Sequence, residues 1–396
     1  MLKPFSKDIL IPQEERLAIQ YRKSELQIGI PKEIRLQEKR ICLTPDAVGT
    51  LVAHGHKIIM ESGAGEGANF SDQDYAEMGA RITYDTEEVF KSNIVLKVEP
   101  PDLKETGYLL PDTIIISALQ IKAQKKELIQ QLQQKKVTAI AYEFLKDEQG
   151  SFPIVRAQSE IAGTASMLIA AELLTKPLIG KNLLLGNISG VAPANVVIIG
   201  AGTVGEYAAR IALGLGASVK VFDNSVTKLR RFKTILGNQV YTSTINPNVI
   251  LDALQRADVV IGAIKGKSRT PIIITEPMIQ MMQQGSVFID VSIDRGGVSE
   301  TSELTTHSDP VVVKHGVVHY GVPNIPARYA RTASLSLSNI FLSYLLDIGE
   351  KGGIDGAARI NRGLRNGIYI YKGILTNKSV AEWFKLDYKD IHLFFI

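Results

Sequence analysis

Gly200, Gly202 and Gly205 follow the apolar run Val196-Val-Ile-Ile, and Val204 sits inside the spacing they set. An Ala-rich helical stretch comes next, and a second apolar run, Ala217-Ser-Val-Lys-Val-Phe, stops at Asp223. In a strand–turn–helix of this kind the first glycine permits a tight turn and the second lets the backbone approach a pyrophosphate. The third lets the helix pack closely on the strand, and the helix N-terminus offers unpaired N–H groups to the phosphates. Asp223 lies 18 residues past Gly205, where an acid accepts hydrogen bonds from the adenosine ribose. The bland reading of the same residues is a structural glycine turn. The ordered series of strand, helix, second strand and acid favours a dinucleotide, and the acid favours NAD over NADP.

The elements around this motif read as α/β throughout. Strands are expected at 26–31, 57–60, 94–98, 113–117 and 138–141, with helices from Pro45 and over 125–134. A small-residue helix over 159–174 would leave this first lobe and cross to the glycine-loop lobe. That second lobe has further strands near 259–262, 286–290 and 317–320. After Pro326 an apolar helix over 333–346 would cross back, so that the C-terminal segment completes the first lobe. The expected architecture is two doubly wound Rossmann-like domains with a cleft between them, the first discontinuous. The substrate domain would comprise 27–155 and 330–396, and the NAD-binding domain 156–329.

Composition narrows the function class. The chain has 396 residues, enough for two ordinary domains, with 45% apolar and 22% charged residues. A net charge of +4 with no basic block argues against a nucleic-acid partner. Cys42 is the only cysteine, so an intramolecular disulfide is impossible and a reducing compartment is expected. No stretch approaches 18 uncharged apolar residues, so no membrane span is expected. Residues 1–26 read as an amphipathic helical arm that packs rather than targets, and the expected location is cytoplasmic. No Cys/His metal spacing or nucleophile motif occurs, so neither a metal nor covalent catalysis is expected.

Several segments together resemble the alanine dehydrogenase family. They are Ile28-Gly-Ile-Pro-Lys-Glu33, Lys39-Arg-Ile-Cys-Leu-Thr-Pro45, Glu61-Ser-Gly-Ala-Gly-Glu-Gly67, Ser159-Glu-Ile-Ala-Gly163, Asp290-Val-Ser-Ile-Asp-Arg-Gly-Gly297 and Pro323-Asn-Ile-Pro326. The resemblance covers roughly residues 27–390. The NAD(H)-binding part of proton-translocating transhydrogenase shares these motifs. However, this chain has an alanine-dehydrogenase-like C-terminal helical segment and no long insertion between Asp223 and Asp258. The resemblance implies NAD-dependent oxidative deamination of L-alanine to pyruvate and ammonia, and the reverse. It also implies a homo-oligomer, a hexamer by analogy, built through apolar helices such as 165–171 and 335–346.

Site residues follow by position. Arg40 matches the family's carboxylate-binding arginine, a role suited to a planar guanidinium; its bland reading is a surface arginine at a strand start. Asp294 matches the carboxylate near the nicotinamide that binds ammonium or the carbinolamine hydroxyl and moves protons; otherwise it is a turn acid. Ser159, at the start of the crossing helix, would meet the pyrophosphate or nicotinamide side, or simply cap the helix. Lys228 matches an adenosine-side lysine or is a solvated helix charge. Asn324, in a loop stiffened by two prolines, would hold an amide at the nicotinamide.

Two positions depart from the family. Glu99 stands where a lysine usually assists carbonyl binding, and Gln120 where a histidine usually acts as acid and base. Glutamine does not titrate, and a glutamate beside a substrate carboxylate repels it unless protonated or paired. Three readings follow. Deamination persists with Lys97 or Lys122 supplying the cation and Asp294 the proton transfer. Alternatively, a related amino-acid or imine dehydrogenase uses Glu99 to meet a cationic substrate portion. In the third, the chain binds NAD(H) without turnover.

Overall fold

The computed structural model describes residues 23–35, 37–266 and 269–395. The expected N-terminal helical arm lies outside the described residues except for 23–26, which run without helix.

Eight strands form one sheet. These are β1 (Gln27–Ile30), β2 (Lys57–Glu61), β3 (Arg81–Thr83), β4 (Ile94–Leu96), β5 (Ile114–Ser117) and β6 (Thr138–Ala141), joined by two late strands described below. A second, seven-stranded sheet contains β7 (Asn195–Ile199), β8 (Ser218–Phe222), β9 (Val240–Ser243), β10 (Val259–Gly262), β11 (Val287–Asp290), β12 (Val311–Lys314) and β13 (Val317–Tyr320). The late strands β14 (Ile368–Tyr371) and β15 (Ile374–Leu375) add to the first sheet, whose order is β15-β14-β6-β5-β4-β1-β2-β3. The second sheet runs β12-β13-β11-β10-β7-β8-β9. Pairing is parallel except for β14 with β6, β14 with β15, and the edge pair β12–β13.

Parallel strands covered on both faces read as unbroken apolar runs, and both sheets show it. In β4, Ile94 and Leu96 pack into one core while Val95 enters the other. In β7, Val196 and Ile198 face one core, and Val197 and Ile199 the opposite one.

Each sheet reverses its winding beside its first strand: β1 lies between β4 and β2, and β7 between β10 and β8. Ligands of doubly wound folds bind in the crevice beyond the carboxyl ends of the strands at that reversal. The segments that matter here are therefore the ones leaving β1, β4, β5, β7, β8, β11 and β13.

Two long helices bracket these segments. One spans Pro153–Leu174, beginning six residues before the expected start because Pro153 supplies a pre-set first turn. The other spans Ala330–Glu350. The hydroxyls of Ser334 and Ser338, both buried, accept from the backbone of Ile41 (2.9 Å) and Thr44 (3.0 Å). They pin the irregular segment that carries Arg40, which is not a strand as one bland reading had it.

Candidate active site

The glycine loop has the geometry its spacing requires. Gly200 adopts a φ of +122°, and a Cβ at Gly205 would lie 2.0 Å from the Gly200 carbonyl, so neither position takes a side chain. A Cβ at Gly202 would meet nothing within 4 Å, which leaves room over the loop. Gly202 caps the helix Thr203–Gly214, whose first turn, including Val204, carries N–H groups without intrahelical acceptors. Asp223, at the end of β8, is 8% exposed and accepts from Ala201 N (2.9 Å) and Ser225 N (2.8 Å). These bonds aim the carboxylate at the mouth of the loop and leave lone pairs for a ribose diol. The residues present fit a dinucleotide. Lys228 stands 3.4 Å from Asp223 Oδ2 with about half its side chain exposed.

At the end of the first sheet, β1, β4 and β5 bring together a set of charged groups. Arg40 is buried and grips Glu38 with two nitrogens, Nε to Oε1 (2.8 Å) and Nη2 to Oε2 (2.6 Å). Its Nη1 donates to Gln158 Oε1 at 3.0 Å, from the long helix. Glu38 is reached from the other lobe by Asn324 Nδ2 at 2.9 Å. Burial alone would raise the Glu38 carboxyl, but the charge and hydrogen bonds of Arg40 overcome it and hold it below the usual carboxylate range. Asn324 adopts a left-handed conformation (φ 57°) just after β13. The same lobe contact is completed by Gln37, whose Oε1 accepts from His307 N at 3.0 Å.

Glu99 and Gln120, far apart in sequence, meet here. Gln120 Nε2 donates to Glu99 Oε2 (2.7 Å), and Arg35 Nη1 donates to both Glu99 Oε2 (3.1 Å) and Gln120 Oε1 (2.9 Å). The other oxygen of Glu99 lies 3.7 Å from Arg40 Nη2. Gln120 is held in a left-handed conformation (φ 48°) by Glu143, whose carboxylate accepts the backbone N–H groups of Leu119 and Gln120 at 2.9 Å. Burial and the nearby Glu38 push the Glu99 carboxyl up, against the opposing pull of Arg40 and Arg35.

Lys97 is not presented to the cleft. Its side chain is fully buried, 2.8 Å from Glu105 and 3.3 Å from Glu33, because it points from β4 into the packing beneath the site. Glu33 in turn anchors the turn after β4, accepting from Val98 N at 2.6 Å. Burial pushes the Glu33 carboxyl up to about 7, with Lys97 opposing. Since the folded value exceeds the ordinary 4.5, the unfolded chain releases this proton first as pH rises. The contribution to stability should fall by about 3 kcal/mol between pH 4.5 and 7 and level off above. Urea unfolding across this range should show that slope in the wild type relative to Glu33→Gln; parallel curves would refute it.

The remaining expected residues are dispersed around the cleft. Asp294 lies in a short turn just past β11 with its side chain 59% exposed, and Arg295 Nε is 3.9 Å away. Lys122, in the turn after Gln120, lies close enough for its charge to act on Asp294. Ser159 is inside the helix Pro153–Leu174, not at its cap, and its hydroxyl donates to Val155 O at 2.7 Å. The buried acid of the same motif is Asp290, which fastens the loop through Ser292 N and Val298 N (2.9 and 2.8 Å). Sequence reasoning missed Arg35, Glu38 and Gln158. Glu38, two residues before Arg40, was the one with a visible signal.

A pair of doubly wound sheets, one ending in a dinucleotide loop and the other in a buried arginine, defines a two-lobed dinucleotide-dependent protein. Comparison with known proteins narrows this class. The description "Alanine dehydrogenase/PNT, N-terminal domain" matches residues 29–162, and "Alanine dehydrogenase/PNT, C-terminal domain" matches residues 166–378. "Alanine dehydrogenase 2" of Staphylococcus aureus (strain USA300) is 40% identical over 368 residues, covering 92% of this chain and 98% of that protein. A solved L-alanine dehydrogenase superposes with a TM-score of 0.85 at 36% identity, covering 91% of this chain and 99% of that one. A transhydrogenase from Sinorhizobium meliloti, at 22% identity and a TM-score of 0.75 over 89% of this chain and 99% of its own, shares the fold. The chain belongs to the alanine dehydrogenase/PNT family.

Proposed function

We propose that this protein is an NAD-dependent alanine dehydrogenase. L-Alanine, NAD and water become pyruvate, ammonium, NADH and a proton, and the reaction also runs in reverse. The observation that carries this reading is Arg40, buried at the winding reversal of one sheet and tied through Glu38 to Asn324 of the dinucleotide-binding sheet. The relatives named alanine dehydrogenase support it. Glu99 is already paired with Arg35 and Gln120, which removes the main reason to expect a cationic substrate portion there.

NAD supplies a hydride acceptor. Gly200, Gly202, Val204 and Gly205 would hold its phosphates, Asp223 with Lys228 alongside would hold its ribose, and Ser159 and Asn324 would serve its nicotinamide side. Arg40 has two N–H groups beyond those given to Glu38 and Gln158, one each on Nη1 and Nη2. We assign the substrate carboxylate to this edge, which Glu99 approaches to 3.7 Å at Nη2. Asp294 moves protons as the imine is hydrated and ammonia leaves. The substrate domain comprises 27–155 and 330–396, and the NAD domain 156–329.

Among the described residues no helix is long and apolar enough to cross a membrane. We assign a cytoplasmic location. We assign a homo-oligomer as well. In the helical segments 165–171 and 335–346, Leu168 and Leu335 are exposed apolar side chains. Leu178, Leu184, Ile188 and Val191 offer a more exposed apolar surface.

The test is NADH formation from L-alanine, and NADH consumption with pyruvate and ammonium, across pH. Tight NADH binding with no turnover at any pH would refute the reading. Within it, Asp223→Ala should weaken NAD binding by about 1.5–3 kcal/mol, the usual effect of losing a hydrogen bond to a charged group. Calorimetry with NAD and NADP checks this, and wild-type binding of both cofactors with equal affinity would contradict the role given to Asp223.

A further inference from the structure

We propose that Arg35 is a substrate-binding cation of this site, held in place by Glu99 and Gln120. The inference rests on the reading above that the site accepts a 2-oxo acid. Glu99 and Gln120 are the two positions where the chain departs from its family's motif, and the structure makes them one unit. Each accepts from Arg35 Nη1, and they bond to each other at 2.7 Å. Both hydrogens of Nη1 are thus committed, while Nε and Nη2 donate to no other described residue. The Arg35 side chain is 40% exposed, against 8% for Glu99 and 6% for Arg40. It therefore has donors to spare and access to the cleft, at the strand ends where doubly wound sheets place ligands.

Charge balance supports the assignment. Around the ends of β1 and β4, four carboxylates (Glu33, Glu38, Glu99 and Glu105) face two buried cations, Lys97 and Arg40. A 2-oxo acid anion entering beside Glu99 would meet net repulsion without a further cation. Arg35 offsets part of that excess beside Glu99, where the anion would enter: one Glu99 oxygen lies 3.1 Å from Arg35 Nη1 and the other 3.7 Å from Arg40 Nη2. The carboxylate thus bridges two guanidinium groups and fixes their separation. Glu99 and Gln120 are positioning residues in this arrangement.

The probe is pyruvate binding to the full-length protein saturated with NADH, read by NADH fluorescence and calorimetry. Arg35→Met should weaken pyruvate binding at least ~10-fold, leaving NADH affinity and the thermal midpoint unchanged. Arg35→Lys should recover part of the loss, because the charge stays and the fork goes. In turnover, KM for pyruvate should rise more than kcat falls. Wild-type affinity in Arg35→Met would overturn the inference, as would an equal loss of NADH binding or a large drop in midpoint. If the wild type binds pyruvate but does not turn it over, the dehydrogenase reading fails and the role of Arg35 stands. If the wild type turns over and Arg35→Met binds pyruvate normally, only the role of Arg35 fails. A wild type that binds no pyruvate at millimolar concentration overturns both.

Discussion

Arg40→Lys should lower kcat/KM for pyruvate by about 10–100-fold, the equivalent of about 1.5–3 kcal/mol for hydrogen bonds to a charged group. An ammonium cannot grip both oxygens of Glu38 and still present a planar edge to a substrate carboxylate. In the wild type, Nε and Nη2 hold Glu38 and Nη1 reaches Gln158, which leaves one N–H each on Nη1 and Nη2, the latter nitrogen 3.7 Å from Glu99. Lysine would keep the charge near Glu38, so the fold should survive and NAD affinity should be unchanged. Steady-state kinetics beside NAD calorimetry tests this. An equal loss of NAD binding would mean that Arg40 serves mainly to join the lobes.

Lys97→Met should destabilise the protein by about 3–5 kcal/mol, the usual effect of breaking a buried ion pair from one side. Glu33 and Glu105 would be left facing each other in the packing under β4 without the cation between them. Lys97 is the charge that opposes burial at Glu33, so in the variant the Glu33 carboxyl takes up its proton above the wild-type value of about 7, and the deficit should be largest at alkaline pH and shrink as pH falls towards 7. Urea midpoints at alkaline and neutral pH measure both effects. A variant of normal stability with a raised KM for pyruvate would instead return Lys97 to the substrate.

The glycine loop and Asp223 were legible because their chemistry is local: strand, turn and helix adjoin in sequence, and the spacing alone fixes the geometry. The apolar strands were legible for the same reason. The short or edge strands β3, β9, β12, β14 and β15 were not, since their partners rather than their patterns define them. The charged cluster beyond the first sheet was legible in some of its residues but not in its arrangement. Arg40 and Asp294 stood out by motif, yet nothing in the order of residues shows that Arg35, Glu99 and Gln120 close a ring across 85 positions. The direction of Lys97 was not legible because a lysine at a strand's end can leave the sheet towards solvent or towards the core. Only the packing of Glu33 and Glu105 decides it. Ser159 was misplaced because Pro153 starts its helix earlier than the small-residue pattern suggests.

Glu38 accepts from Arg40 on its own side and from Asn324 on the other. Opening the cleft must break the second bond, and the carboxylate then turns wholly to Arg40, with its negative charge no longer shared. Separation at this contact and the poise of the guanidinium would therefore be one equilibrium with two readouts. By thermodynamic reciprocity, whatever drew Asn324 away would alter the hold on Arg40, and whatever engaged Arg40 would alter the hold on Asn324 by the same factor. A cofactor seated against Asn324 and a carboxylate seated against Arg40 would then sense each other without touching, through one side chain of five heavy atoms beyond its α-carbon.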